Sequence, residues 1–331
     1  MVGMPVVVQG SWTQQAREDA AAVEAREAFI RYFHKMMKER NWLPWDDLPL
    51  DEMGQYGDRL SDDTIAIIEG YFGLESQVGN YVADGLDMLR HMRERRNLHM
   101  AWGSEELKHS ESFELVLAHS GRRTREELEA YRTAALARRW RMREEHPDLD
   151  NPMGFICYGL LQERATLYSY DEMRKRIRRE YGLSVEPSEA ERERGREIGA
   201  AGAFQLVAND ERAHYEVFLE LVQIYLRYLP QETLDTLHRV IDNFRTPALN
   251  LLPDPSHLTE ALERTMLYTS LKYVRNVRNV VLDALGFESK RALDFAARAA
   301  QQLSATLVPG SFSIARNGQI RTLEAGEAVG G

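Results

Sequence analysis

Two histidines in the sequence each follow a glutamate at a spacing that metal sites use. Glu106 precedes His109 by three residues, and Glu211 precedes His214 by the same interval. Residues three apart lie on one face of an α-helix, so a carboxylate and an imidazole could contact one metal ion together. Either pair alone is weak evidence, because nine histidines among many glutamates produce such pairs by chance. The two pairs therefore need support from their surroundings.

Both Glu-x-x-His pairs interrupt an apolar helical stripe. Steps of three and four residues connect the first pair to Trp102, Phe113 and Val116. The same steps connect the second pair to Phe204, Val207, Phe218, Leu221 and Tyr225. A stripe of this kind faces the protein core. Since an unpaired buried carboxylate is energetically costly, these ionisable groups must have partners there.

Two further glutamates interrupt apolar stripes in the same way. Glu75 shares its stripe with Ile68, Tyr71, Val78, Val82 and Leu86. Glu163 shares its stripe with Ile156, Leu160, Leu167 and Tyr170. Glu69 is a rival to Glu75, but its neighbours at helical spacing, among them Ser76 and Gly79, form a less apolar face. We therefore expect Glu75 and Glu163 to point inward.

Four helices would thus each bring one glutamate to the core, and two of them would add a histidine. This is the donor set of ferritin-like bundles that hold two iron or two manganese ions. Carboxylates combined with imidazoles suit iron or manganese better than copper or a closed structural zinc site. The alternative is an ordinary bundle in which the glutamates pair with buried arginine or histidine. We favour the metal interpretation because all six residues interrupt apolar stripes.

The distribution of proline indicates the elements that position these residues. Proline is absent from 50–146, 188–229 and 256–308, as long helices require. The sequence predicts helices at 13–40, 62–93, 97–119, 124–145, 153–181, 188–228, 231–243, 256–285 and 288–306. Predicted helix starts lie at Ser61, at Thr124 with Glu127, and at Ser188 with Glu191.

The end of the chain follows a different pattern. Ser311 to Leu323 alternates around Asn317-Gly318, which predicts a tight β-hairpin. We therefore predict an all-α fold, a ferritin-like four-helix bundle with additional helices and a small C-terminal β-hairpin. One helical domain would cover residues 1–310, and a hairpin with a flexible tail would cover residues 311–331.

Composition excludes several classes of protein. The net charge of −10 over 331 residues argues against a nucleic-acid-binding protein, which would need a basic surface. Apolar runs are too short for a membrane-spanning helix, and the first residues do not have the pattern of a signal peptide. A single cysteine, Cys157, cannot form an internal disulfide. We therefore predict a cytoplasmic protein without membrane insertion.

Several short motifs together resemble a known family. They are NWLPWDDLP (41–49), Glu75, EELKH (105–109), FICYGLLQERAT (155–166), NDERAH (209–214) and RTPALNLLPD (245–254). Their order resembles that of the acyl-acyl-carrier-protein desaturases, the plant stearoyl type and its bacterial relatives. The likeness covers about Asn41 to Pro253. The sequence departs from the family pattern around Glu75 and through a charged insert near 171–197.

The resemblance implies a role for each motif residue. Glu106 and Glu211 would bridge two iron ions, and Glu75 and Glu163 would each bind one iron terminally. His109 and His214 would complete the two sites. The resemblance also implies that Thr166 lies beside the oxygen-binding face. Trp42 and Asp210 would form, with His109, a relay that carries electrons from the surface.

The resemblance further implies an activity. The protein would be an O2-dependent di-iron desaturase that introduces a cis double bond into a fatty acyl chain bound to an acyl carrier protein. A ferredoxin-type protein would donate the electrons, and the enzyme would be a homodimer. One alternative is a related di-iron oxygenase that hydroxylates or oxidises a tethered biosynthetic intermediate. Others are a non-enzymatic iron-binding or storage protein and the small subunit of ribonucleotide reductase.

An acidic enzyme needs a local basic surface to bind an acidic carrier protein. One candidate patch comprises Arg174, Lys175, Arg176, Arg178 and Arg179. A second comprises Lys35, Lys38 and Arg40, close to Trp42, and the family's docking face lies near this helix. For the first patch, a solvated helix face whose charges pair with nearby acids is an equally good interpretation.

Overall fold

The computed structural model describes residues 13–245, 249–303 and 307–322. The helices in these residues are α1 (Gln14–Glu39), α2 (Pro44–Asp47), α3 (Leu50–Tyr56), α4 (Asp62–Glu75), α5 (Val78–Met88), α6 (Arg93–His119), α7 (Arg125–Leu136), α8 (Met142–Glu145), α9 (Pro152–Glu180), α10 (Glu189–Glu193), α11 (Gly199–Tyr228), α12 (Pro230–Asn243), α13 (Pro255–Thr265), α14 (Ser270–Tyr273), α15 (Asn279–Ala284) and α16 (Lys290–Leu303). Short 3-10 turns lie at Gly57–Arg59, Pro147–Leu149 and Leu249–Leu251, and a π-helical turn lies at Val274–Arg278. Strands β1 (Phe312–Ile314) and β2 (Ile320–Thr322) form an antiparallel pair.

Four of these helices form the central bundle. Helices α9 and α11 pack side by side, and α6 lies against both α4 and α11. Hydrogen bonds from α4 to α9, between Tyr71 and Ser169 and between Glu75 and Tyr170, complete the ring. Helix α1 packs across α6 and α11. The predicted ferritin-like bundle with additional helices is confirmed. In the described part of the chain, no helix is long and apolar enough to cross a membrane.

Buried apolar residues form two clusters, one on each side of the Glu-x-x-His pairs. On α6, Trp102 belongs to the first cluster and Phe113 to the second. On α11, Phe218 belongs to the first cluster and Phe204 to the second. Each helix therefore presents its glutamate and histidine between two apolar layers. The stripes predicted from the sequence thus fix where along the bundle the polar side chains lie.

The predicted helix starts are confirmed. The Ser61 side chain accepts a hydrogen bond from the backbone of Thr64 at the start of α4. Thr124 with Glu127, and Ser188 with Glu191, each form a capping box, in which the two residues satisfy each other's backbone N–H groups. These caps fix where α4, α7 and α10 begin.

Four predicted helices, those at 62–93, 124–145, 188–228 and 256–285, are wrong in extent, because each is divided in the structure. The helix predicted at 62–93 ends at Glu75, and α5 begins at Val78. Between them, the fully buried Gln77 donates a hydrogen bond to the Ala135 carbonyl at 2.8 Å. The helices predicted at 124–145 and 256–285 are also divided, the latter at Met266, whose backbone is left-handed with φ of 52°.

The charged insert near 171–197 is held by one buried arginine. Arg178 is 1% exposed and donates hydrogen bonds to the carboxylates of Glu191 (2.7 Å) and Glu197 (2.9 Å). It also donates to the Ser184 carbonyl at 2.6 Å. These contacts bind the loop after α9 and divide the helix predicted at 188–228 into α10 and α11.

The predicted hairpin is confirmed, with a longer turn than expected. Gly318 donates to the Ala315 carbonyl at 2.8 Å, and its φ is 84°, as in a three-residue loop that ends in a left-handed glycine. A Cβ atom at Gly318 would lie 1.9 Å from the Ala292 carbonyl oxygen of α16. The glycine therefore serves both the turn and the close packing of the hairpin on α16.

We predict that Gly318→Ala destabilises the protein more than Gly286→Ala. Gly286 has a similar φ of 87°, but a Cβ atom there would meet nothing within 4 Å. The control should lose about 1–2 kcal/mol from backbone strain alone. Gly318→Ala adds a backbone collision to that strain. Thermal unfolding of both variants measures the difference, and equal losses would contradict the close packing of the hairpin.

Candidate metal centre

Six ionisable side chains from four helices meet inside the bundle. Glu75 is the last residue of α4, Glu106 and His109 lie on α6, Glu163 lies on α9, and Glu211 and His214 lie on α11. None is more than 7% exposed, and both histidines are fully buried. The structure therefore brings together all six residues that the sequence predicted as metal ligands.

The six side chains form two overlapping groups of possible ligands. One group comprises Glu75, Glu106, His109 and Glu211, and the other comprises Glu106, Glu163, Glu211 and His214. In each group the candidate ligand atoms lie within 4.8 Å of one another. Glu106 and Glu211 belong to both groups. Two carboxylates shared between two adjacent groups are the arrangement that a pair of bridged metal ions requires.

Glu69, the alternative to Glu75 on α4, does not belong to either ligand group. Glu69, also on α4, pairs with Arg123, whose Nε lies 2.8 Å from the Glu69 carboxylate. Its side chain therefore has a partner outside the bundle interior. The apolar stripe of Glu75 correctly separated the two glutamates.

The histidines direct one ring nitrogen into the cluster. His109 Nδ1 lies 3.1 Å from Glu106 Oε2 and 3.4 Å from Glu211 Oε1. His214 Nδ1 lies 3.0 Å from Glu106 Oε1 and 3.3 Å from Glu163 Oε2. Two inward atoms, His214 Nδ1 and Glu211 Oε2, are buried without a hydrogen-bond partner. Nitrogen and oxygen atoms in this arrangement fit metal coordination.

The charges in the cluster also favour the binding of metal ions. Burial raises the pKa of Glu75 and Glu163, and the neighbouring carboxylates raise it further. Burial opposes ionisation of Glu106 as well, but contacts with His109 and His214 outweigh it and lower that pKa. Although burial disfavours their charged form, nearby carboxylates raise the pKa of His109, and Tyr32 together with nearby carboxylates raises the pKa of His214. Two histidines offset only part of four carboxylates, so divalent cations would be strongly favoured here.

The predicted relay residues also come together. His109 Nε2 lies 3.6 Å from Asp210 Oδ2, and Trp42 Nε1 donates to the same oxygen at 3.0 Å. A carboxylate behind a ligating histidine fixes the orientation of its ring. A hydrogen bond from Trp42 to Asp210 and a longer contact from Asp210 to His109 thus connect His109 with the 41–47 segment.

Sequence reasoning missed an equivalent contact behind the second histidine. His214 Nε2 lies 3.2 Å from Glu105 Oε2, and the Tyr32 hydroxyl donates to that carboxylate. Burial acts to raise the pKa of Glu105, but His214 and Tyr32 outweigh it and lower the value to about 2. One signal was available: Glu105 precedes Glu106 just as Asp210 precedes Glu211.

Two other contacts to the candidate ligands were missed. The Tyr170 hydroxyl donates to Glu75 Oε1, and Trp102 Nε1 donates to Glu163 Oε1 at 3.1 Å. Both aromatic residues occur in the apolar stripes of the sequence, but periodicity alone does not show what their polar atoms contact. Glu75 and Glu163 thus each have one aromatic donor that orients the carboxylate.

A cavity of about 180 Å³ borders the cluster. Its lining residues on α9 run from Phe155 to Tyr170, a stretch of helix about 22 Å long at the α-helical rise. The side chains of all four glutamates line it, as does Thr166, whose hydroxyl donates to the Gln162 carbonyl at 3.1 Å. Most other lining side chains are aromatic or aliphatic. The cavity is therefore an apolar slot with the carboxylate cluster in its wall.

The lining residues of the slot differ in accessibility. Trp140, Phe155 and Tyr158 are all less than 9% exposed, whereas Leu249, Leu262 and Tyr268 are partly exposed. The slot therefore comes near the surface where these last three side chains line it.

Comparison with known proteins identifies the family. A family model described as fatty acid desaturase matches residues 95–309, about two thirds of the chain. The chain belongs to this fatty acid desaturase family. The desaturase is also similar in fold to DesA2 from Mycobacterium tuberculosis H37Rv, described as an acyl-ACP desaturase, with a TM-score of 0.51 over 88% of this chain and 100% of that chain. At 13% sequence identity this likeness shows the fold alone. No curated protein matches the desaturase.

The basic patch on α9 of the desaturase consists of paired charges. Arg174 pairs with Glu197 at 2.7 Å, and Lys175 pairs with Asp171 at 2.7 Å. Arg176 pairs with Glu180 at 2.9 Å, and Arg178 is buried. Of the five residues only Arg179 is exposed. The interpretation as a helix face paired with nearby acids therefore accounts for this patch.

We predict that Glu211→Ala in this desaturase abolishes metal binding at one or both sites. Glu211 belongs to both ligand groups, and no neighbouring side chain replaces a shared carboxylate. Metal ions bound per chain, measured after loading with Fe2+ or Co2+ and dialysis, test this. Glu69→Ala, which removes the rival glutamate of α4, should leave the stoichiometry unchanged. A Glu211→Ala protein that still binds two ions would refute the ligand assignment.

A second prediction concerns Tyr170. Tyr170→Phe removes the hydroxyl that orients Glu75, and we expect metal affinity to fall about 10- to 100-fold, as for other contacts that support ligands. Tyr71→Phe is a matched control, because Tyr71 packs on Tyr170 and bonds only to Ser169 among the contacts described. Titration with Co2+ measures both affinities. Similar losses in both variants would show that packing, and not the bond to Glu75, is responsible.

Proposed function

We propose that this desaturase binds two iron ions and uses O2 to introduce a cis double bond into a fatty acyl chain carried by an acyl carrier protein. One observation carries the proposal. Two ligand groups that share Glu106 and Glu211 form part of the wall of an apolar slot. The donor set fits two iron ions, and the slot fits an unbranched hydrocarbon chain.

The residues of the chain would hold the iron in defined roles. Glu106 and Glu211 would bridge the two ions, Glu75 and His109 would complete one site, and Glu163 and His214 the other. Bound iron would supply the reaction with O2 that removes two hydrogen atoms from adjacent methylene groups, which side chains cannot do. Overall, one O2, two electrons and two protons convert the CH2–CH2 unit into an alkene and two molecules of water.

The slot itself would orient the substrate. An acyl chain in the slot would extend along α9 past Glu163. Glu163 lies near the middle of the Phe155 to Tyr170 wall, so carbons in the middle of the chain would be next to the metal centre. The apolar walls would also exclude water from the reacting carbons. Thr166 lines the same wall one turn after Glu163, which supports the proposal that it lies beside bound oxygen.

The remaining partners follow from the family resemblance. A ferredoxin-type protein would supply electrons through Trp42, Asp210 and His109. The carrier protein would bind near Lys35 and Lys38 of α1, which are exposed and carry no described ion pair. The third residue of that patch, Arg40, faces inward to Glu105 at 3.4 Å.

We further propose a homodimeric, cytoplasmic enzyme whose catalytic domain spans residues 1–310, with 311–331 as a C-terminal appendage.

Product analysis tests the proposed activity. The iron-loaded enzyme is incubated with acyl carrier proteins bearing saturated chains, reduced ferredoxin and O2, and the released acyl chains are identified by mass spectrometry. We expect a cis alkene near the middle of the chain and no product from Glu211→Ala. A hydroxylated product without alkene would support the alternative, a di-iron hydroxylase acting on a tethered intermediate. Iron oxidation without any change in the acyl chain would favour an iron-binding protein.

A further inference from the structure

Two cations lie between the carboxylates that support the two histidines. Lys108 Nζ is 2.7 Å from Asp210 Oδ2 and 3.7 Å from Glu105 Oε1. Arg40 Nε is 3.4 Å from Glu105 Oε1 and 3.8 Å from Asp210 Oδ1. Each cation therefore contacts both carboxylates. We call these two cations and two carboxylates the clamp.

The clamp is neutral and almost completely buried. The side chains of Glu105 and Asp210 are 1% and 0% exposed, and those of Arg40 and Lys108 are 15% and 14% exposed. Two buried carboxylates this close to the same cations would repel each other strongly without them. Because two positive charges offset two negative ones, the clamp contributes no net charge to balance the inner four glutamates.

Two aromatic side chains hold the clamp in place. Lys108 Nζ lies 4.5 Å from the centre of the Trp42 ring, and Trp42 donates to Asp210. The Arg40 guanidinium lies 5.2 Å from the centre of the Tyr32 ring, and Tyr32 donates to Glu105. Lys108 also donates to the Arg40 carbonyl at 3.3 Å. The cations and the aromatic donors thus restrict the same two carboxylates from different sides.

We propose that Arg40 and Lys108 are positioning residues that couple the two halves of the metal centre. Asp210 fixes the ring of His109 and Glu105 fixes the ring of His214, while each cation binds both carboxylates. A change at either cation therefore reaches both histidines, although neither cation approaches a metal ligand directly in the contacts described. The inference rests on the proposed metal centre and adds a connection between its two sites.

Metal titration of the full-length chain tests the coupling. The apo-protein is titrated with Co2+, whose visible absorption reports both the number of ions bound and their coordination. The wild type should bind two ions per chain. Lys108→Met and Arg40→Met should each weaken binding of both ions by about 10- to 100-fold, as expected for lost support of ligating histidines. Lys108→Arg retains the charge and should recover most of the affinity.

Controls separate the possible outcomes. Lys35→Met removes an exposed charge from the same helix as Arg40 and should leave both affinities unchanged. Loss of affinity at only one site in the two methionine variants would overturn the coupling, as would unchanged affinity at both. An equal loss in Lys108→Arg and Lys108→Met would show that charge is not responsible. If Lys108→Met does not fold, Arg40→Met alone decides. A wild type that binds fewer than two ions would instead refute the proposed metal centre.

Discussion

Mutual repulsion among four buried carboxylates is the constraint on which the structure depends. The bundle holds four carboxylates close together and away from water, so neither solvation nor distance weakens their repulsion; they are Glu75, Glu106, Glu163 and Glu211. Each lies on a different helix, and apolar layers pack above and below them. A bundle of this rigidity keeps the side chains from moving apart, so the charge must be offset by what binds between them.

Contacts from the residues around the centre give several of its side chains a defined orientation. Four of the six side chains in the centre meet an outer residue that limits their orientation. The outer residues are Tyr170 for Glu75, Trp102 for Glu163, Asp210 for His109 and Glu105 for His214. Behind the histidines, the anions Asp210 and Glu105 are in turn held by cations. Charge therefore alternates from the centre outward, which allows a strongly anionic core inside a stable helical protein.

Sequence periodicity predicted which side chains point into the centre of the bundle, but few of the residues that contact them from outside. The stripes placed Glu75 ahead of Glu69 because a helical face depends only on residues of its own helix. The bond of Glu105 to His214 depends on how α6 and α11 are rotated and shifted relative to each other, which no single stripe encodes. For a similar reason, the sequence did not predict the helix breaks. Gln77, for example, lies in a break where its side chain donates a hydrogen bond to the distant Ala135. The hairpin was predicted because its signal, Asn317-Gly318, is local.

The position of Glu75 at the end of its helix makes the two halves of the candidate metal centre mechanically unequal. Glu106, Glu163 and Glu211 lie within long helices, where backbone hydrogen bonds on both sides resist displacement. Glu75 is followed by a two-residue break: Ser76 and Gln77 bond back to Phe72 and Leu74, and no described backbone hydrogen bond joins the Glu75 carbonyl to α5. We expect ligand rearrangement during turnover to be concentrated at this carboxylate. The half of the centre that contains Glu163 would then act as the fixed reference against which the other half adjusts.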